Sequence, residues 1–470
     1  MVGSGRTVTS TGARVPCLLV MLSALDDLRA TRALLITDPR ETVVYSYDAL
    51  ERGPSPAVVA MPRTTAEVAG LIRAAGRHGL AIVPRGAASG LSGGSTPVRA
   101  ETLVITTSRM TRLRLDPERR LAFAQPGVVN QSVQDAAAVH GLRYPPDPAS
   151  LKQCTIGGNI AENAGGPACF KYGVTSDWVE AIEIVDPRGE ARWLERGRGR
   201  LDLAALVMGS EGTLAFVTDA RLQLAPIPRC RATLLVVFER VEEAGAAVSA
   251  IVAAGLVPAS LELMDRTCLG CVEEYLHAGL PTDAGAVLIV ETDGDDPVEV
   301  EADAAQAAEF CGRAGAREVR RARDEAGAAE LWSARRAISP ALARIRPHKL
   351  NEDIVVPRSS VPAVVAAFQE IASRLGLTIA VFGHAGDGNL HPNILYDRAD
   401  EDETRRTHLA AHEIVKVAVR HGGTLSGEHG IGLTKRIFMD ELVDPALLAA
   451  FRAVRQAWDP GGHWNPGKLV

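Results

Sequence analysis

The stretch Val83-Pro84-Arg85-Gly86-Ala87-Ala88-Ser89-Gly90-Leu91-Ser92-Gly93-Gly94-Ser95 decides the fold of this chain. It follows directly on an apolar run, residues 80–83, that reads as a short buried strand. Small residues at such a place let the backbone approach a ligand closely, with successive N–H groups converging on phosphate oxygens. The GxGxxG spacing of a Rossmann turn is missing, so NAD is not the expected ligand. Two more glycine-rich segments follow. One runs Pro145-Pro146-Asp147-Pro148-Ala149-Ser150, then Thr155-Ile156-Gly157-Gly158-Asn159, then Asn163-Ala164-Gly165-Gly166; the other is Gly209-Ser210-Glu211-Gly212-Thr213-Leu214. One such loop is weak evidence, because tight turns share the composition. Three in one domain are much stronger.

Outward from these loops the pattern is a mixture of helices and hairpins. Thr64 and Glu67 read as a capping box, with Val68, Leu71, Ile72 and Ala75 as the apolar stripe of a helix that Gly79 stops. Residues 103–106 read as a strand, and hairpins are expected around Asp116-Pro117-Glu118-Arg119 and Asp186-Pro187-Arg188-Gly189. This alternation suits an α+β domain better than a doubly wound parallel sheet. Ala225-Pro226-Ile227-Pro228 breaks the pattern. We therefore expect an N-terminal extension and lead-in (1–53), a ligand-binding domain (54–226) and a second domain (227–470). In the second domain strands are expected over 233–238, 286–291 and 378–382, and helices over 241–254, 298–314 and 361–375. That pattern reads as an antiparallel sheet with helices on one face.

Bulk composition narrows the function. At 470 residues, two or three domains are expected, and 46% hydrophobic with 23% charged residues is globular. The formal charge is −6 and no basic block occurs, which argues against nucleic acid as a partner. The seven cysteines are scattered, and the CxxC pair Cys268 and Cys271 has no second pair to complete a metal cage. The apolar run 15–22 is interrupted by Pro16 and too short to span a bilayer. Residues 1–20 read as a loose extension without a cleavage signal. The expected location is cytoplasmic, with peripheral membrane attachment and a homodimer left open.

The densest chemistry is Gly383-His384-Ala385-Gly386-Asp387-Gly388-Asn389-Leu390-His391-Pro392-Asn393. A strand gives way to a glycine-rich turn that can fold back and bring His391 beside His384. Two neutral imidazoles and one carboxylate make an open zinc site, and the third ligand is sought in Ser426-Gly427-Glu428-His429-Gly430-Ile431-Gly432. His408 and His412, followed by Glu413, match no zincin order and read as a solvated helix face. Residues 462–468 spell GxxxxGK, but Leu469 replaces Ser/Thr and no helix can follow, so this is no phosphate loop.

The three glycine-rich segments resemble the FAD-binding domain of the vanillyl-alcohol oxidase and p-cresol methylhydroxylase superfamily. The resemblance implies a two-part FAD-binding domain followed by an α+β substrate (cap) domain. Implied FAD contacts are Pro84, Arg85, Gly86, Ala87, Ser89, Gly90, Ser92 and Gly93 in the first loop. Pro148, Ser150, Gly157, Gly158, Asn163, Gly165 and Gly166 follow in the second, with Glu211, Thr213, Val217 and Asn465 beyond. No histidine lies between Pro84 and Ser95, so FAD is expected to be held non-covalently.

The second-half clusters, with the ending Asn465-Pro466-Gly467-Lys468-Leu469, resemble the group of glycolate oxidase flavin subunits, D-lactate dehydrogenases and D-2-hydroxyglutarate dehydrogenases. That resemblance implies His384, His391 and Glu428 as ligands of a divalent metal, zinc first, with manganese and iron open. It implies His429 as base and Asn393 as a substrate contact. It also implies Arg335 as the carboxylate clamp, catalytic as well as binding, with Ser339 as its helper; the planar guanidinium suits a carboxylate. Lys349 falls near a lysine of the group without aligning cleanly.

The expected function is FAD-dependent oxidation of a small D-2-hydroxy acid, of glycolate, D-lactate or D-2-hydroxyglutarate type, to the 2-keto acid. Which acid is oxidised stays open, as does the electron acceptor: quinone, cytochrome, electron-transfer flavoprotein, iron–sulfur subunit or oxygen. The alternative is a flavin-dependent, non-redox transferase of the alkylglycerone-phosphate synthase type. A non-catalytic flavin-carrying subunit would lack the second-half clusters, which this chain has.

Overall fold

The computed structural model describes residues 23–197 and 201–470, so the extension expected over residues 1–20 lies outside the described residues. The helix Thr65–Arg77 starts where its capping signal stands: Thr64 Oγ1 accepts from the Glu67 N–H, and Val68, Leu71 and Ile72 are buried. Glu67 reaches one residue further back than a strict capping box, accepting from the Arg63 N–H. The strand Ala81–Arg85 follows and pairs in parallel with Thr102–Thr106, which pairs in parallel with Val58–Met61. Leu34–Ile36 adds an antiparallel edge.

Both expected hairpins form, Leu113–Asp116 with Leu121–Ala124 and Val179–Val185 with Ala191–Glu195. The strand Phe216–Gln223 runs between them and joins all five into one antiparallel sheet. This half of the chain is therefore a small mixed sheet packed with an antiparallel one, and the glycine-rich loops gather between them.

The second half is built on one eight-stranded sheet with antiparallel pairing throughout. The expected helices form as Val241–Ala253, Pro297–Arg313 and Val361–Leu375. With Glu401–Arg420 they cover one face, over Leu234, Val236, Leu261, Leu263, Val381 and Leu390. The expectation of helices on one face only is corrected. Arg266–Leu276, Glu325–Arg336 and Ile338–Leu342 cover the other face, over Leu235, Val237, Met264, Val287 and Ile289. The physical reason lies in runs such as Leu234-Leu235-Val236-Val237-Phe238: successive side chains point to opposite faces, so a strand apolar at every position needs cover on both.

After the helix Pro445–Trp458 the chain returns to the first half. Trp464, 1% exposed, enters the core around Ile82 and Leu103 and donates from Nε1 to the Gly212 carbonyl at 2.9 Å. Asn465 Nδ2 donates to the Gly94 and Glu211 carbonyls, and Lys468 Nζ to the Thr96 carbonyl. The GxxxxGK string is thus a clamp between the two halves. Trp464→Ala is expected to destabilise the protein by about 3–5 kcal/mol, the usual range for a buried Trp truncated to Ala. Thermal unfolding of the flavin-loaded protein checks this; an unchanged midpoint would contradict it.

Candidate active site

The hairpin Thr378–His384/Asn389–Tyr396 pairs Phe382 with His391 and His384 with Asn389. Directly paired residues share a face, so His384, Phe382, His391 and Asn393 all project from one side of the sheet. Glu262 joins them, because the strand Ser260–Asp265 pairs it with His384. The His384 and His391 rings meet edge to face, 5.4 Å between centroids.

Glu428 is delivered by the 426–432 loop, which is held from both halves of the molecule. Asp353 Oδ2 accepts from Ser426 Oγ and from the N–H groups of Gly427, Glu428 and His429, at 2.8–3.0 Å. The Glu211 carboxylate takes the Ile431 and Gly432 N–H groups at 2.7 and 2.6 Å. The flanking glycines are required by close approach: a Cβ on Gly427 would fall 1.4 Å from Asn389 Nδ2, and one on Gly432, at φ +49°, 2.0 Å from the Ser92 carbonyl oxygen.

The ligand atoms of His384, His391 and Glu428 all lie within 4.8 Å of one another. A tetrahedral ion with bonds of about 2.0–2.1 Å keeps its ligand atoms about 3.3–3.4 Å apart. Glu428 Oε1 is 3.4 Å from Nε2 of both His384 and His391, so the donor set fits such an ion. His429 Nε2 stands 3.8 Å from the same oxygen. Asp353, His391 and His429 form a second close trio. Their geometry suits support rather than metal binding. The two rings are stacked 5.0 Å apart at 15°, so their in-plane lone pairs do not converge, and both Asp353 oxygens already accept hydrogen bonds.

Burial, helped by the neighbouring His429, pushes His391 down to about 3, leaving it neutral. Burial works against ionised Glu428, but His384, His391 and His429 outweigh it and bring the carboxyl to about 2. Burial likewise opposes a charged His384, yet the Glu262 and Glu428 carboxylates raise it well above the usual range. Its extra proton is the one a cation would displace, since ligand imidazoles must be neutral.

The glycine-rich loops line a groove whose empty space, open solvent included, is about 1290 Å³. Of the expected FAD contacts, Pro84, Arg85, Gly86, Ala87, Ser89, Gly90, Pro148, Ser150, Gly157, Gly158, Glu211 and Val217 line it. Buried polar atoms without partners, Thr155 Oγ1, Asn159 Nδ2 and Glu162 Oε2, belong to its walls, so the groove fits a polar ligand. Glu428 and His429 form part of the same wall, which places the cluster beside the groove.

Other expected contacts are not among the residues lining the groove. Ser92 offers its carbonyl to the Leu433 N–H, and Gly93 packs on Leu433. Asn163 ends the helix Ile156–Glu162 at φ 53° and accepts from the Ser176 N–H. Gly165 lies against Cys169 and Glu428, and Gly166 against Asp147. Thr213 closes a turn on the Ser210 carbonyl, and Asn465 ties Gly94 to Glu211. These contacts tie the loops to one another, while Ser92 Oγ and Asn465 Oδ1 are left buried without a partner.

Arg335 is buried, its Nε and Nη2 each 2.7 Å from Glu262 Oε2, with its guanidinium 4.8 Å over Phe382. Asn393 is buried beside His391, and its Oδ1 has no partner. Ser339 is exposed and bonded to Lys349 Nζ, so the structure does not bring it into the cluster. Sequence reasoning missed Glu262 and Asp353. For Glu262 the available signal was a charged residue inside the apolar run Leu261-Glu262-Leu263-Met264, because a carboxylate buried there must be paired; Asp353, preceded by Asn351-Glu352, carries no such signal.

Cys268 and Cys271 are buried in the helix Arg266–Leu276 with burial raising both thiols. His408 is exposed as expected. His412 is not simply solvated; it bonds Glu441 at 2.6 Å and packs on Phe438.

Comparison with known proteins agrees with this geometry. The family model of the C-terminal domain of FAD linked oxidases matches residues 227–469, and that of the FAD binding domain matches residues 56–195. The chain belongs to the FAD-linked oxidase family. This FAD-linked oxidase is 40% identical over 436 residues to glycolate oxidase subunit GlcD of Bacillus subtilis (strain 168), covering 91% of this chain and 92% of that one. It is 31% identical over 471 residues to a D-2-hydroxyglutarate dehydrogenase of Xanthomonas citri pv. viticola, covering 97% of each. Its fold is that of p-cresol methylhydroxylase, with a TM-score of 0.79 over 96% of both chains at 15% identity. The resemblance drawn from the glycine-rich segments and the second-half clusters is borne out. No helix among the described residues of this FAD-linked oxidase is long and apolar enough to cross a membrane.

Proposed function

We propose that this FAD-linked oxidase converts a D-2-hydroxy acid, of glycolate, D-lactate or D-2-hydroxyglutarate type, to the 2-keto acid. The observation that carries the proposal is the convergence of His384, His391 and Glu428 at the wall of the groove. The names of the relatives support it from outside the chain.

FAD, held by the groove, would supply the acceptor for the hydride lost from the substrate's α-carbon, and a divalent ion held by His384, His391 and Glu428, zinc first, would supply Lewis acidity. Glu262 occupies one edge of Arg335, and the rest of the guanidinium is the clamp for the substrate carboxylate. His429 takes the hydroxyl proton at Nε2. Asn393 Oδ1, buried and without a partner, offers an acceptor to the substrate.

Anaerobic mixing of the flavin-loaded protein with the D and L forms of lactate and 2-hydroxyglutarate, and with glycolate, tests this. One of these acids is expected to bleach the flavin, and a chiral one in its D form. A flavin that none of them reduces would contradict the proposal.

A further inference from the structure

Glu262 stands in the strand Ser260–Asp265 between leucines and is 0% exposed. A carboxylate buried this deeply is unfavourable unless both oxygens are satisfied. Here the two oxygens are divided between partners from different elements. Oε1 lies 2.6 Å from Nδ1 of His384, on the neighbouring strand. Oε2 lies 2.7 Å from both Nε and Nη2 of Arg335, in the last turn of the helix Glu325–Arg336. With Nδ1–H given to Glu262, the lone pair of the neutral His384 ring is confined to Nε2, the atom facing Glu428. The same carboxylate fixes the guanidinium above Phe382.

We infer that Glu262 is the positioning residue of this site, one carboxylate that orients both the metal-binding ring of His384 and the substrate-clamping guanidinium of Arg335. The inference rests on the proposed roles of those two residues. It makes metal affinity and substrate binding depend on a side chain that touches neither ligand. Outer partners of metal-bound histidines act in this way, by setting the tautomer and the ring direction. A purely structural Glu262, pinning the helix to the sheet, would lower the melting temperature and leave both binding constants alone.

The test uses the full-length, FAD-loaded protein and Glu262→Gln, which keeps the shape and removes the charge. Zn2+ affinity is measured by competition with a chromophoric chelator. KM is measured at saturating Zn2+ with whichever of glycolate and D-lactate bleaches the parent's flavin faster. The expected result is Zn2+ binding weakened by about 10–100-fold, with KM raised by about tenfold. Glu262→Asp, which keeps the buried charge but cannot reach both partners, is expected to move both constants the same way by less. A Glu262→Gln protein that retains FAD and shows either constant within twofold of the parent's overturns the inference. If that variant loses FAD, Glu262→Asp decides by the same criterion. A parent that binds no Zn2+ overturns the proposed metal site instead, a result distinct from either.

Discussion

His391→Ala is expected to leave a folded, yellow protein that holds no zinc and turns over about a thousandfold more slowly. The site offers two imidazoles and one carboxylate, the fewest protein ligands usual for a catalytic zinc. His391 is already neutral, pushed down to about 3 by burial and by His429, so it binds a cation without first losing a proton. Alanine would leave His384 and Glu428 alone, too few to retain the ion. Loss of its Lewis acidity removes about 4 kcal/mol of transition-state stabilisation, which is the thousandfold. The flavin should stay, because His391 is not among the residues lining the groove. Elemental analysis, the ratio of flavin to protein absorbance and kcat give the three readouts. A zinc-free variant of full activity would contradict the assignment.

Asp353→Asn is expected to cost about 3–5 kcal/mol of stability, the usual loss when a buried ion pair is broken from one side. Asp353 is wholly buried and gathers the Ser426 hydroxyl, three successive loop N–H groups and Asn389 Nδ2. Lys435 Nζ stands 3.6 Å from its carboxylate and donates to its backbone carbonyl. Burial opposes the charge, but His429, Lys435, His391 and the backbone donors hold its carboxyl well below the usual range. A depressed carboxyl contributes stability that is complete above the unfolded value of about 3.9 and lost as pH falls through the folded value. The deficit of the variant should therefore be constant from pH 6 to 8 and shrink only in acid below about pH 4. Turnover should fall further than flavin binding, since the loop that Asp353 holds carries Glu428 and His429. Denaturant unfolding at several pH values checks the stability. Equal stability of variant and parent at pH 7 would contradict it.

What could be read in the sequence follows the distance over which each feature is encoded. The His384–His391 pair lies within one hairpin, so a strand, a glycine turn and seven residues of spacing suffice to predict that the rings meet. The capping signal at Thr64 and the two proline-containing turns are equally local, and each element formed where expected. Glu428 reaches the pair from a distant loop, and only a family resemblance singles it out. Glu262 and Asp353 belong to no motif at all. Their role depends on which elements become neighbours; Glu262 in its apolar run signals burial without naming a partner, and Asp353 beside Glu352 signals neither. On the second face, Arg266–Leu276 was missed although Asp265 caps it, its Oδ1 accepting from the Cys268 N–H. Several glycine-loop residues expected to contact FAD, Ser92, Gly93, Asn163 and Thr213 among them, are not among the residues that line the groove. Composition marks a loop as ligand-binding without saying which of its residues face inward.

The most direct test of the active site is anomalous X-ray diffraction at the zinc edge from crystals of the FAD- and Zn2+-loaded protein. The prediction is a single strong peak bonded to His384 Nε2, His391 Nε2 and Glu428 Oε1, at the groove wall that Glu428 and His429 line. A peak bonded elsewhere, or none at these three atoms, would contradict it.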